Sequence, residues 1–132
     1  MALRMVGVEH KREVVTYRDL VVWQNAIELA VACYGATKAL PREEVYGLTS
    51  QIRRAAASVP ANIAEGYGRD GRASFVQFLR IAQGSLKELA THVILADRMD
   101  YLSTSASKPL VEMADVTGRM LRGLIRSLHK KD

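Results

Sequence analysis

Apolar residues recur at helical intervals in four stretches of the chain. Leu20, Trp23, Ile27, Ala30, Tyr34 and Thr37 fall three or four positions apart and predict a first helix, with Thr16 and Asp19 as a capping-box start and Pro41 as its limit. Pro41, Glu43 and Glu44 suit the opening of a second helix, because proline lacks an amide that the first turn does not use and acids favour the positive helix end. Leu48, Ile52, Ala55, Val59 and Ile63 carry that helix towards Glu65. Gly66, Gly68 and Gly71 then break the pattern. Phe75, Leu79, Ala82, Leu86, Leu89, Val93 and Ala96 form a heptad-like row in a third helix, capped at or near Ser74. The segment from Ser103 to Pro109 starts a fourth, with Pro109 expected in its first turn and Met113, Thr117, Met120, Leu124 and Leu128 along its buried side. No strand-like alternation interrupts this series. Four helices with short links imply an all-α, up-down antiparallel four-helix bundle over residues 17–132, preceded by a flexible tail over residues 1–16.

The second helix carries a complication. Gln51, Arg54, Ser58, Asn62 and Glu65 form a polar row beside its apolar stripe, and polar groups that close to a core must be paired or functional. Ser85, Glu88 and His92 form a matching row on the third helix. Antiparallel packing would set Arg54 near Glu88 and Ser58 near Ser85, with the small residues Ala55, Ala56 and Ala57 against Gly84 for a close crossing. Pro60 removes the amide that would bond the Ala56 carbonyl and costs about 3 kcal/mol inside a helix, which predicts a kink, or a restart capped by Ser58. The seam is expected to satisfy the freed carbonyl and to fix helix register.

Composition narrows the function. At 48% hydrophobic and 25% charged over 132 residues, the chain suits one soluble domain with a real core. Its single cysteine, Cys33, can form no internal disulfide and sits among Ala30, Val31 and Tyr34 as a small core residue, which fits a reducing cytoplasm. Charged and amide side chains break the most apolar stretch, Leu20 to Leu40, too often for a membrane span. The N-terminus lacks the apolar block of a signal peptide. A net charge of +5 favours polyanionic partners, while 6% aromatic residues leave little for stacking on bases, so any nucleic acid would be held by its phosphates rather than read by sequence.

Several ordered motifs carry a family resemblance: Leu20 to Gln24, Pro41 to Leu48, Gln51 to Ala55, Asn62 to Gly66, and Gly84 to Glu88. Together they resemble the bacterial 23S rRNA intervening-sequence proteins, from about Tyr17 to Leu128. The resemblance implies a cytoplasmic four-helix bundle assembled as a ring-like homo-oligomer, with a pentamer favoured, and implies no settled activity. This family is similar in fold to accessory proteins of diversity-generating retroelements, whose basic oligomers associate with nucleic acid and reverse transcriptase. RNA or DNA and a nucleic-acid-processing protein are therefore the partners it suggests.

Within the sequence, Arg119, Arg122, Arg126 and Lys130 form one stripe on the last helix, and Arg69 and Arg72 flank the glycines; these are the candidate phosphate contacts. Arg53 and Arg80 depend on helix rotation. Two other readings compete. A protein-interaction scaffold would use outward apolar residues such as Val21, Val22, Tyr46, Tyr67 or Phe78. A helical ribonuclease would need Arg122 and His129, but His129 lies near a fraying end. No cofactor is expected. Glu88 and His92 lack the Glu-x-x-His spacing of a bundle metal site, and no catalytic residue is assigned.

Overall fold

The computed structural model describes residues 3–4 and 13–130. Four helices make up almost all of it: α1 (Val21–Ala36), α2 (Leu48–Tyr67), α3 (Arg72–Arg98) and α4 (Thr104–His129). The chain is an all-α four-helix bundle. Each helix packs on its two neighbours in the cyclic order α1, α2, α3, α4. Contacts set the directions: Arg53 reaches Thr37 while Tyr67 lies near Asp19, Ser58 meets Ser85 while Gly66 stands against Phe78, and Arg72 reaches Leu128 while Asp97 holds Thr104. Each successive pair is therefore antiparallel.

Periodicity locates the core well where a helix has only one apolar face. Leu48, Ile52, Ala55, Val59 and Ile63 of α2 are buried, as is the whole row from Phe75 to Ala96 on α3. On α1 the expected stripe is displaced. Val22, Ala26, Leu29 and Cys33 are buried, whereas Tyr34 is exposed and Trp23, Ile27 and Ala30 are only half-buried. That helix is apolar on nearly every side, so spacing alone does not fix its rotation.

The ends of the helices differ from expectation for local reasons. The Thr16–Asp19 capping box forms, but it closes a short 3-10 turn over Tyr17–Asp19, and α1 starts at Val21. Pro41 caps another 3-10 turn, Arg42–Glu44, rather than α2. The first turn of α2 is held instead by the Glu44 carboxylate, which accepts the Leu48 amide at 2.9 Å. Gly71, at φ 92°, precedes α3 and replaces the expected Ser74 cap, since glycine adopts a left-handed φ without steric cost. Ser103 caps α4 by accepting the Ala106 amide, and Pro109 sits inside the helix beyond the first turn. At the α3–α4 turn the Asp97 carboxylate accepts the hydroxyls of Ser107 at 2.7 Å and Thr104 at 3.2 Å.

Pro60 lies inside α2, which runs unbroken from Leu48 to Tyr67, so there is no restart at Ser58. The close α2–α3 crossing also moves. A Cβ at Gly84 would meet nothing within 4 Å, whereas one at Gly66 would stand 2.6 Å from the Phe78 Cβ. Gly66 is thus buried in the last turn of α2 against α3 rather than forming part of the connection. The N-terminal segment contributes too: Leu3–Arg4 pairs antiparallel with Glu13–Val14, and Val14, inside the segment expected to be a tail, is fully buried. Most of that segment lies outside the described residues.

Candidate nucleic-acid interface

The polar row of α2 faces outward more than the sequence suggests. Gln51, Arg54, Glu65 and Glu88 are exposed, and only Ser58, Asn62 and Ser85 are half-buried. Those three form the true seam. The Ser58 and Ser85 hydroxyls share a 2.8 Å hydrogen bond, and the Asn62 amide donates to the Ser58 hydroxyl at 2.9 Å and to its carbonyl at 2.8 Å. The carbonyl reached is therefore that of Ser58, not the Ala56 carbonyl that loses its donor to Pro60. Arg54 and Glu88 line one groove, with Tyr46, Ser50 and Gln51, but make no ion pair with each other among the described residues. Solvation explains the difference, because exposed charges have no desolvation cost that pairing must offset. Glu65 turns instead to Arg69, at 2.7 Å.

His92 sits one turn beyond Glu88 on α3, and its Nδ1 is buried with no hydrogen-bond partner among the described residues. No group of three or more histidine, cysteine or acidic residues in the described part could hold a metal ion. No helix there is long and apolar enough to cross a membrane. Cys33 is fully buried in α1, and burial pushes its thiol up to about 11, so it has little thiolate character.

A different surface gathers the cations. Between α3 and α4 runs a groove of about 430 Å³ lined by Lys87, Gln83 and Thr91 on one side and by Arg119, Arg122 and Asp115 on the other. Arg119 and Arg122 thus face α3, and Arg126 and Lys130 continue their stripe along α4. Arg80 stands seven residues before Lys87 on the same side of α3, with its guanidinium 3.4 Å from the His129 ring. Asp115 is the single carboxylate lining the groove. No aromatic residue lines it, which leaves phosphate contact as its means of holding a nucleic acid.

The other basic candidates have local work. Arg69 is bonded to Glu65 and stacked over the Phe78 ring at 5.0 Å, and Arg72 donates to the Leu128 carbonyl at 3.3 Å. Both remain exposed at the end of the bundle where Arg80 and His129 lie. Arg53 is absorbed into packing: it donates to the Thr37 hydroxyl and the Tyr34 carbonyl and covers the Tyr34 ring. The contribution of Lys87, and the assignment of Arg80, escaped the sequence reading. Their seven-residue spacing was visible, but not which side of α3 meets α4.

A family model for the 23S rRNA-intervening sequence protein matches residues 18–123. The chain belongs to this family. Its fold is similar to the crystal structure of an S23 ribosomal protein family member of unknown function from Bacteroides thetaiotaomicron, at a TM-score of 0.74 and 26% identity, over 80% of this chain and 98% of that one. No curated protein matches it. Neither likeness carries a defined activity, so the functional reading rests on the groove.

Proposed function

We propose that this 23S rRNA-intervening sequence protein is a non-catalytic, cytoplasmic nucleic-acid-associating bundle that works as a ring-like homo-oligomer, with a pentamer favoured. The observation that carries the reading is the α3–α4 groove, where Lys87, Arg119 and Arg122 converge with one opposing carboxylate. Such a surface neutralises phosphates and releases their counterions without reading bases. Its partners are RNA or DNA, together with a nucleic-acid-processing protein. Assembly would repeat the groove around the ring.

Charge reversal of Arg119, Arg122 and Arg126 tests the proposal, since all three are exposed and none contributes to the core. Salt-sensitive binding of RNA or DNA is expected to disappear while oligomer mass stays constant. Retained binding would refute the groove as the site. The ribonuclease alternative rests on the Arg122-to-His129 spacing; at the His129 ring itself the neighbouring cation is Arg80, 3.4 Å away. RNA cleavage lost on His129→Ala would reinstate catalysis.

A further inference from the structure

The α2–α3 face is built for a neighbour that the single chain does not supply. Arg54, Glu88, Gln51 and Ser50 line its groove with no side-chain hydrogen bond or ion pair among the described residues. Apolar side chains flank these polar groups: Tyr46 is 94% exposed, and Ile81, Leu95 and Met99 are each more than two-fifths exposed. Ile81 and Leu95 of α3, and Met99 just after its end, fall on the row that carries Ser85 and Glu88. Gly84 lies in the same region, exposed in mid-helix, and a Cβ there would touch nothing within 4 Å. Packing within the chain therefore does not explain a residue that weakens the helix.

The opposite side of the bundle offers a complement. The cyclic helix order puts the α1–α4 face directly across from α2–α3. Its groove has an apolar floor of Met113, Val116 and Pro109, is rimmed by the carboxylates of Glu28 and Glu112, and is lined by no cation. Lys108, exposed on α4, lies one turn before Glu112. Arg54 thus has carboxylates to meet, and Glu88 an ammonium, when one face is set against the other. Two different faces with opposite charge patterns make a head-to-tail contact, which closes into a ring when its rotation permits.

We infer that a second copy of this chain docks its α1–α4 face onto the α2–α3 face of the first, with Gly84 admitting the close approach and Arg54 meeting Glu28 and Glu112. The inference rests on the homo-oligomer part of the function proposed above. Gly84→Arg and Val116→Arg each block one face; the first enters open space, and circular dichroism reports whether either variant folds. Mass measurements after nuclease treatment, at about 0.15 M salt, should give an oligomer for the unaltered chain and monomers for each variant. Mixing the two variants should give a one-to-one dimer and nothing larger, because one intact face of each kind remains.

A monomeric unaltered chain at tens of micromolar would overturn self-association itself and leave these faces to a different protein. An assembled chain whose mass neither folded variant changes would overturn only the assignment of faces. Loss of assembly with Gly84→Arg but not with Val116→Arg would overturn the head-to-tail geometry in favour of a two-fold contact through α2–α3. Folding failure of Val116→Arg is covered by Glu112→Arg, an exposed change on the same face, which should also give a monomer.

Discussion

Neutralising Arg119 and Arg122 together should change the salt dependence of nucleic-acid binding by a calculable amount. The groove and its extension carry Arg80, Lys87, Arg119, Arg122 and Arg126. If each neutralises one duplex phosphate, the slope of log affinity against log salt is about −4.5, at roughly −0.9 per contact. Arg119→Gln with Arg122→Gln removes two contacts and should bring the slope to about −2.7. At about 0.15 M salt each such contact is worth roughly fivefold, so the double variant should bind about 30-fold more weakly, or about 2 kcal/mol. Fluorescence anisotropy with a random-sequence duplex of about 20 base pairs, repeated across salt concentrations, measures both quantities. Lys38→Gln with Arg42→Gln removes the same charge from exposed positions outside the groove and should cost less than about twofold. An equal loss in that control, or an unchanged slope in the groove variant, would refute the reasoning.

The glycines should respond in opposite directions: Gly66→Ala should destabilise the chain by about 1–3 kcal/mol in urea unfolding, because its Cβ would collide with the Phe78 Cβ. Gly84→Ala, examined as the monomer, should stabilise it by up to about 1 kcal/mol. Asp97→Ala should cost about 1–3 kcal/mol by removing the acceptor of Ser107 and Thr104, and a shift in midpoint below about 0.5 kcal/mol would deny that the α3–α4 turn depends on it. Cys33 makes a pH prediction. Its thiol is raised from 9.0 to about 11 in the fold, so the folded state holds the proton more tightly; its contribution is complete below pH 9 and is lost as pH climbs to about 11. Unaltered chain should lose on the order of 2 kcal/mol more than Cys33→Ala across that window, and parallel pH profiles would contradict the burial argument.

Much of the bundle was legible because α2 and α3 each have one apolar face, so spacing identified both which residues are buried and how the helices are rotated. Ser58 and Ser85 do meet, as an antiparallel register requires. The first helix was less legible because Ile27, Ala30 and Tyr34 compete with Ala26, Leu29 and Cys33 for the same role, and only the neighbouring helices decide between them. Glycine was misleading for a related reason. Gly66 and Gly84 look alike in sequence, but their effects depend on what stands opposite, and only Gly66 has Phe78 there. The candidate interface was half visible: one helix supplied a stripe of arginines, while Lys87 and Arg80 joined it only once α3 was rotated towards α4.

Cys33 also makes the chain a ready host for spectroscopic reporters. It is the only sulfhydryl in the sequence, it is fully buried, and its proton is held unusually tightly, so alkylating dyes should leave it untouched in the folded state. A thiol introduced at an exposed position such as Lys38 would then be the sole point of attachment. Energy transfer between dyes on separate copies would report their spacing directly, without first removing a native core residue.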